Sequence, residues 1–235
     1  MTPLAGVPAS GDTPVPVGPM FTERHHRVAR HDMLRLLAER GITSSRVLAA
    51  LAAVPRERFV PEGVQHLAYA DRALPIACDQ TISQPYIVAL MTDALDLSGN
   101  EHVLEIGTGS GYQAAVLAEL AASVVSVERH AELSRRAAEV LADCGFTNVT
   151  LVVGDGTLGW PEKAPYDRIL VAAAAAQVPP ALEAQLAEGG RLVIPIGSSE
   201  GQVLQVCRKI GGKLHAQALS GCRFVPLVGA QTDPQ

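Results

Sequence analysis

Aromatic residues make up only 4% of this 235-residue chain, and Trp160 is its single tryptophan. A protein that reads bases by stacking needs more flat side chains than that. No block of Lys and Arg stands out, and the formal net charge is −5. The electrostatic footprint of a nucleic-acid binder is therefore missing. No apolar run approaches the roughly 20 residues that a membrane-spanning helix requires. The N-terminus shows no basic stretch followed by an apolar core, the mark of a secretory leader. Cysteine is scarce too. Cys78, Cys144, Cys207 and Cys222 stand far apart and form no C-x-x-C pair. That pattern fits reduced thiols in the cytoplasm better than a disulfide framework or a zinc site. His25, His26 and His31 have no partner ligands nearby in sequence, so no metal is expected. No nucleic acid, no membrane and a cytoplasmic location are the expectations these absences leave.

What is present is enough apolar residue for a sizeable core: 48% of the chain is hydrophobic, and its length suits one α/β domain with extensions. Residues 1–20 carry Pro3, Pro8, Pro14, Pro16 and Pro19 among small residues, a composition expected to stay disordered. The rest, 21–235, reads as a single domain, expected to act as a monomer. Its parts are a helical substrate region (21–99), a cofactor-binding core (100–200) and C-terminal strands (201–235). Apolar periodicity predicts helices near 23–40, 45–53, 85–97, 112–121, 131–143 and 179–187. It predicts strands near 102–106, 124–128, 149–153, 167–172 and 190–196. Alternation of this kind implies a parallel sheet with helices on both faces. Gly41 should stop the first helix, Ser44 or Ser45 should cap the second, and Ser83 or Gln84 the third. Lys209–Lys213, with two central glycines, reads as a hairpin turn between strands near 202–209 and 213–219. Phe224–Leu227 is a last extended segment.

The most informative stretch is Val103-Leu104-Glu105-Ile106-Gly107-Thr108-Gly109-Ser110-Gly111-Tyr112. A buried strand runs into a glycine turn and then a helix, which lets a ligand approach the backbone closely. The next strand ends in Glu128, and an acid there suits the two hydroxyls of a ribose. A nicotinamide fingerprint is G-x-G-x-x-G, but the third glycine comes one residue early and Tyr112 takes the required place. No G-x-x-x-x-G-K-[ST] phosphate loop occurs. The E-x-G-x-G-x-G pattern with a later acid instead resembles the cofactor loop of S-adenosylmethionine methyltransferases. A plain strand-to-helix turn is the bland alternative.

Three further blocks narrow the resemblance. Gly154-Asp155-Gly156 ends a strand and is followed by Gly159-Trp160 and Ala164-Pro165-Tyr166-Asp167-Arg168-Ile169. Tyr69-Ala70-Asp71 precedes Leu74-Pro75-Ile76 and Gln80-Thr81-Ile82-Ser83-Gln84-Pro85, and Phe224-Val225-Pro226-Leu227 closes the chain. Together they resemble the protein-L-isoaspartate (D-aspartate) O-methyltransferase family from about Met33 to Val228. The chain departs from the family pattern at Ala77 and Asp79, where glycines are usual, at Ala172, and at Ala176-Gln177.

The resemblance implies a Rossmann-like S-adenosylmethionine-dependent methyltransferase fold. Its sheet would be mostly parallel, with antiparallel edge strands and N-terminal helices. It implies methyl esterification of the free carboxyl of L-isoaspartyl residues, and by extension D-aspartyl ones, in damaged proteins and peptides. Repair would then proceed through a succinimide, with S-adenosyl-L-homocysteine as the spent cofactor. The alternative is a relative that modifies ordinary aspartate in a dedicated peptide; a cofactor-binding module without turnover is the rival from another class.

The residue expectations follow. Gly107, Thr108, Gly109 and Gly111 would pass close to the methionine part of the cofactor. Glu128 would hold the ribose, Arg129 beside it would also bind the cofactor, and Asp155 with Gly156 would meet the adenine edge. Asp-Gly is also a common turn. Thr81, Ile82 and Ser83 would line one wall. In the family the serine matching Ser83 lies beside the transferred methyl, so it is the catalytic candidate, with a helix cap as its plainer role. Trp160 reads as packing. The substrate carboxylate has a pKa of roughly 3 to 4 and is already ionised at pH 7. The chemistry therefore needs no general base. Phe224–Val228 and the segment near Ser83 are expected to grip an extended peptide.

Overall fold

The computed structural model describes residues 23–231. The proline-rich stretch 1–20 lies outside them. The N-terminal part holds helices α1 (Glu23–Glu39), α2 (Ser45–Ala53) and α3 (Pro85–Leu95), with a two-residue hairpin, β1 (Leu74–Pro75) and β2 (Thr81–Ile82), before α3. Then come β3 (His102–Ile106), α4 (Tyr112–Ala118), β4 (Ser123–Glu128), α5 (Ala131–Asp143), β5 (Val149–Val153) and β6 (Tyr166–Val171). The chain ends with α6 (Pro180–Gln185), β7 (Leu186–Ser198), β8 (Gly201–Ile210) and β9 (Lys213–Cys222).

Seven strands make one sheet in the order β5-β4-β3-β6-β7-β8-β9. The pairs β3–β4, β4–β5, β3–β6 and β6–β7 are parallel; β7–β8 and β8–β9 are antiparallel. This is the Rossmann-like sheet with antiparallel edge strands that the sequence implied. The chain runs outward from β3 through β4 to β5, then crosses back to β6 on the other side. That reversal opens a crevice beyond the carboxyl end of β3, the expected place for a ligand in such sheets.

Period-2 alternation decides the layers. Val103, Val124, Leu170 and Val193 face one side and pack with Met91, Leu95 and Leu117 of α3 and α4. Leu104, Ile106, Val125, Val127, Ile169 and Leu192 face the other and pack with Leu182 of α6. The helices α1 and α2 extend the first of these layers through Leu37, Val47 and Leu51. Trp160 is partly buried against the α6 side.

Local signals set several boundaries. Ser44 caps α2 by accepting from Val47 N–H. Gly41 has φ +97°, the left-handed turn that ends α1. Gly211 and Gly212, at φ +58° and +75°, form the β8–β9 turn. Other boundaries moved. The helix α4 stops at Ala118, three residues early, and Asn148 donates to the carbonyls of Ala118 and Ala121. The strand β7 begins at Leu186, because Leu186 pairs with Tyr166 across a bulge; α6 is correspondingly shorter. The third helix has Gln84 at its N-cap, with no side-chain cap bond. Its Tyr86 N–H is instead satisfied by Asp71 Oδ1 at 2.9 Å. Ser83 is therefore not the cap.

Candidate active site

Two contiguous recesses open at the crevice beyond β3. The larger, about 290 Å³, is lined by Asp79 and Gln80, by Gly107, by Glu128, Arg129 and His130, by Gly156, and by Val225–Val228. The smaller, about 60 Å³, is lined by Thr81, Ile82 and Ser83, by Gly107, Thr108 and Gly109, by Tyr112, by Glu128 and by Ala172. Gln80, Gly107, Glu128 and Val225 belong to both walls. Together the recesses lie at the lower end of the roughly 300–1,000 Å³ of small-molecule sites.

The glycine loop folds as its composition demands. Gly107, Gly109 and Gly111 have φ of +92°, +54° and +87°, conformations that a side chain disfavours. Gly107 lies against Ala172, where a Cβ would be 3.5 Å from the Ala172 Cβ. Gly111 has a packing role as well. It lines neither recess; a Cβ there would sit 3.0 Å from Ala137 Cβ, so it allows α4 to approach α5. At Gly156 a Cβ would fall 2.4 Å from Ile106 Cγ2. Only glycine fits against Ile106 at this point of the larger recess's wall.

Glu128 is buried, at 5% exposure. Its Oε2 accepts from Gly109 N–H and its Oε1 from His130 N–H, both at 2.9 Å. The acid thus locks the loop to the tip of β4 and still has a free lone pair on each oxygen. The Thr108 hydroxyl turns inward, 2.6 Å from Ser126 Oγ, away from the cavity. Ser126 in turn donates to Glu105 Oε2. Glu105 is fully buried, and its Oε1 has no partner. Burial lifts its pKa to about 8; the Ser126 hydrogen bond pulls the other way and the charge on Glu128 adds to the rise.

Asp155, expected at the adenine edge, lines neither recess itself, although its neighbour Gly156 lines the larger. Its Oδ1 accepts from Thr157 N–H at 2.9 Å and from the Thr157 hydroxyl at 2.7 Å. Its Oδ2 accepts from Ala230 N–H at 2.7 Å. Burial works against the charge, but these donors and Arg129 hold the carboxyl below its ordinary pKa. Asp155 is therefore a cap for the turn at Gly156–Leu158 and an anchor for the C-terminal segment. Val225–Val228 line the larger recess beside Gly156; Ala174 holds them, donating to Val225 O at 2.8 Å and accepting from Leu227 N–H at 2.7 Å, and Asp155 fixes the chain just beyond, at Ala230. Gln80 and Tyr112, which stand in the quoted blocks but were given no role, also line the walls, as does His130, which no local motif marked out.

Ser83 is half-buried in the smaller recess, and its hydroxyl has no hydrogen-bond partner among the described residues. Its carbonyl is held by Arg56 Nη2 at 2.7 Å.

Comparison with known proteins decides the lineage. The family described as protein-L-isoaspartate(D-aspartate) O-methyltransferase (PCMT) matches residues 28–232. The chain belongs to this family. A Dictyoglomus turgidum protein-L-isoaspartate O-methyltransferase is 52% identical over 209 residues, covering 89% of this chain and 95% of the relative. A Trichlorobacter lovleyi protein of the same name is 54% identical over 206 residues, covering 87% and 95%. Among solved structures, a protein-L-isoaspartate O-methyltransferase superposes with a TM-score of 0.77 at 32% identity, covering 86% of this chain and 67% of the other. A Plasmodium falciparum protein described as of this family, solved with S-adenosyl-L-homocysteine, gives a TM-score of 0.75 at 25% identity, covering 85% and 98%.

Proposed function

We propose that Ser83, in the smaller recess, orients the substrate carboxylate, while Glu128 holds the ribose of the cofactor in the larger one. The protein is an S-adenosylmethionine-dependent methyltransferase of L-isoaspartyl residues, and its ester product opens the route to repair through a succinimide. The observation that carries the site reading is the unpartnered Ser83 hydroxyl, in a recess whose walls include the glycine loop and Glu128.

The residues fit the cofactor. The side-chain-free wall at Gly156, the left-handed glycine loop and the spare lone pairs on Glu128 form a cradle for a nucleoside joined to a small zwitterion. When bound, the cofactor supplies an electrophilic methyl on sulfur, which leaves a neutral thioether. Ser83 donates its hydroxyl to one oxygen of the substrate carboxylate and turns the other toward that methyl. Ile82, Ala172 and Tyr112 wall this corner with apolar surface that keeps water out. Gly107 and Gly109 bring the loop backbone close, and Glu128 fixes the loop through Gly109. Positioning of this kind is worth roughly 7–11 kcal/mol in favourable cases. The absence of a His–Asp pair at Ser83 is consistent with chemistry that needs neither base nor acid. Asp155 acts on the site through the C-terminal segment, and Gly156 and Arg129 from the wall of the larger recess.

Matched peptides carrying isoaspartate or ordinary aspartate, incubated with methyl-labelled cofactor, test the activity. Labelled methyl ester on the isoaspartyl peptide, followed by methanol release, is the expected result. Labelling of the aspartyl peptide alone would remove the repair reading in favour of dedicated peptide modification.

A further inference from the structure

A charged side chain lies where none is ordinarily tolerated. Arg56 is 0% exposed, and among the described residues it forms no ion pair. Its Nε donates to Ala68 O at 2.7 Å and its Nη2 to Ser83 O at 2.7 Å. The guanidinium carbon lies 4.6 Å from the centroid of the Tyr112 ring, and that ring is braced edge-on by Phe59 at 5.6 Å. Arg56 Nη1 and the Tyr112 hydroxyl are both buried without a hydrogen-bond partner. Tyr112 acts on Arg56 most, and Tyr69 and Asp71 act on it through space; the Asp71 carboxylate is itself committed to Tyr86 N–H, Gln84 and Arg40.

An unpaired buried cation is costly to a fold. This one sits directly behind the wall of the smaller recess, tied to the backbone of Ser83 and stacked on Tyr112, which lines that recess. Apart from the carboxylate on the cofactor's own amino-acid end, the anion that the reaction brings to the Ser83 wall is the substrate carboxylate. We propose that Arg56 is a positioning residue of the methyl-transfer site: it fixes the Ser83 backbone, and its charge selects a carboxylate over a neutral group at that wall. The proposal rests on the assignment of Ser83 given above.

The two effects separate in kinetics. The negative charge of the carboxylate fades as its oxygen takes the methyl. A fixed positive charge therefore favours the bound substrate more than the transition state, and acts on KM. The hydrogen bond to Ser83 O sets where the hydroxyl points, and acts on kcat. Lysine at this position keeps the charge but loses the fork that holds Ala68 O and Ser83 O together. Methionine loses both.

The test uses the full chain, with an isoaspartyl peptide and the same peptide carrying a carboxamide in place of its free carboxylate. Binding of each is measured in the presence of S-adenosyl-L-homocysteine, and turnover is measured with the methyl donor. For Arg56→Lys the expected result is a kcat at least tenfold lower, with the carboxylate-over-carboxamide preference kept within about threefold. For Arg56→Met the preference should fall about tenfold or more, while affinity for the spent cofactor stays within twofold. If both peptides weaken in parallel in Arg56→Met, the charge selects nothing and the proposal is wrong. If Arg56→Met does not fold, Arg56→Lys decides: wild-type kcat, or a lost preference, overturns the proposal. Ser83→Ala in the same assay and methylation by the unaltered protein report on the underlying reading independently of the preference ratio.

Discussion

Replacing Glu128 with alanine is predicted to damage cofactor binding and stability by separable amounts. In the folded protein the carboxylate accepts from Gly109 and His130 N–H at 2.9 Å each. Hydrogen bonds to a charged group contribute roughly 1.5–3 kcal/mol each, so the loss to stability is up to about 3–6 kcal/mol. Water entering the vacated space recovers part of it. The two ribose hydroxyls would use the remaining lone pairs, and losing them costs a similar about 3–6 kcal/mol. At 1.4 kcal/mol per decade, S-adenosyl-L-homocysteine should bind about 10²–10⁴-fold more weakly. Calorimetric titration reads the second number and thermal melting the first. A loosened loop would also weaken binding, so a 2′-deoxyribose version of the ligand completes the cycle. The unaltered protein should prefer the ribose form, and Glu128→Ala should lose that preference. If the alanine variant discriminates as well as the parent, Glu128 holds only the loop, and the ribose assignment fails.

Ser83→Ala should lower kcat at least tenfold and leave both the melting temperature and the cofactor dissociation constant unchanged, because the hydroxyl has no partner among the described residues; unaltered turnover would remove its catalytic role. Glu105→Gln should flatten the dependence of stability on pH. The folded acid titrates near 8 against an ordinary 4.5, so the folded state keeps a proton that the unfolded chain has lost. Stability must then decline as pH rises between those values. Melting curves that stay parallel for parent and variant from pH 5 to 8 would show that Glu105 is not the source. Gly156→Ala should destabilise the protein by about 1–3 kcal/mol and weaken cofactor binding, since its Cβ would meet Ile106 Cγ2 at 2.4 Å. Parental values for both in denaturant unfolding and titration would mean that the wall of the recess yields freely.

The parts of this protein that were legible in its sequence are those governed by residues close together in the chain. The glycine turn after β3, the serine cap of α2 and the paired glycines of the β8–β9 turn all state their geometry within a few residues. Strand alternation gave the sheet its layers in the same way. What stayed hidden depends on distant partners. Gln84 takes the N-cap of α3, but the cap bond comes from Asp71, 15 positions away from Tyr86. Asp155 is bound to Ala230, 75 positions on, which no motif reveals. Arg56 stands in the charged run Pro-Arg-Glu-Arg-Phe, where no local pattern marks burial, yet its neighbours bury it completely.

Those distant contacts explain why the site can work by placement alone. Glu128, Asp155 and Arg56 each hold a backbone group before any ligand arrives: Gly109, Ala230 and Ser83 respectively. A methyl transfer without base or acid gains its rate from geometry, so every freedom left in the walls must be removed when substrate binds. Tying the glycine loop, the C-terminal wall and the serine turn to charged side chains removes much of that freedom during folding. The charges are then doubly used, as anchors for the walls and as a field within them. A neutral anchor could keep the walls in place but could not tell a carboxylate from an amide. On this argument the substitutions that keep shape and remove charge, rather than those that open a cavity, should do most to erode substrate choice.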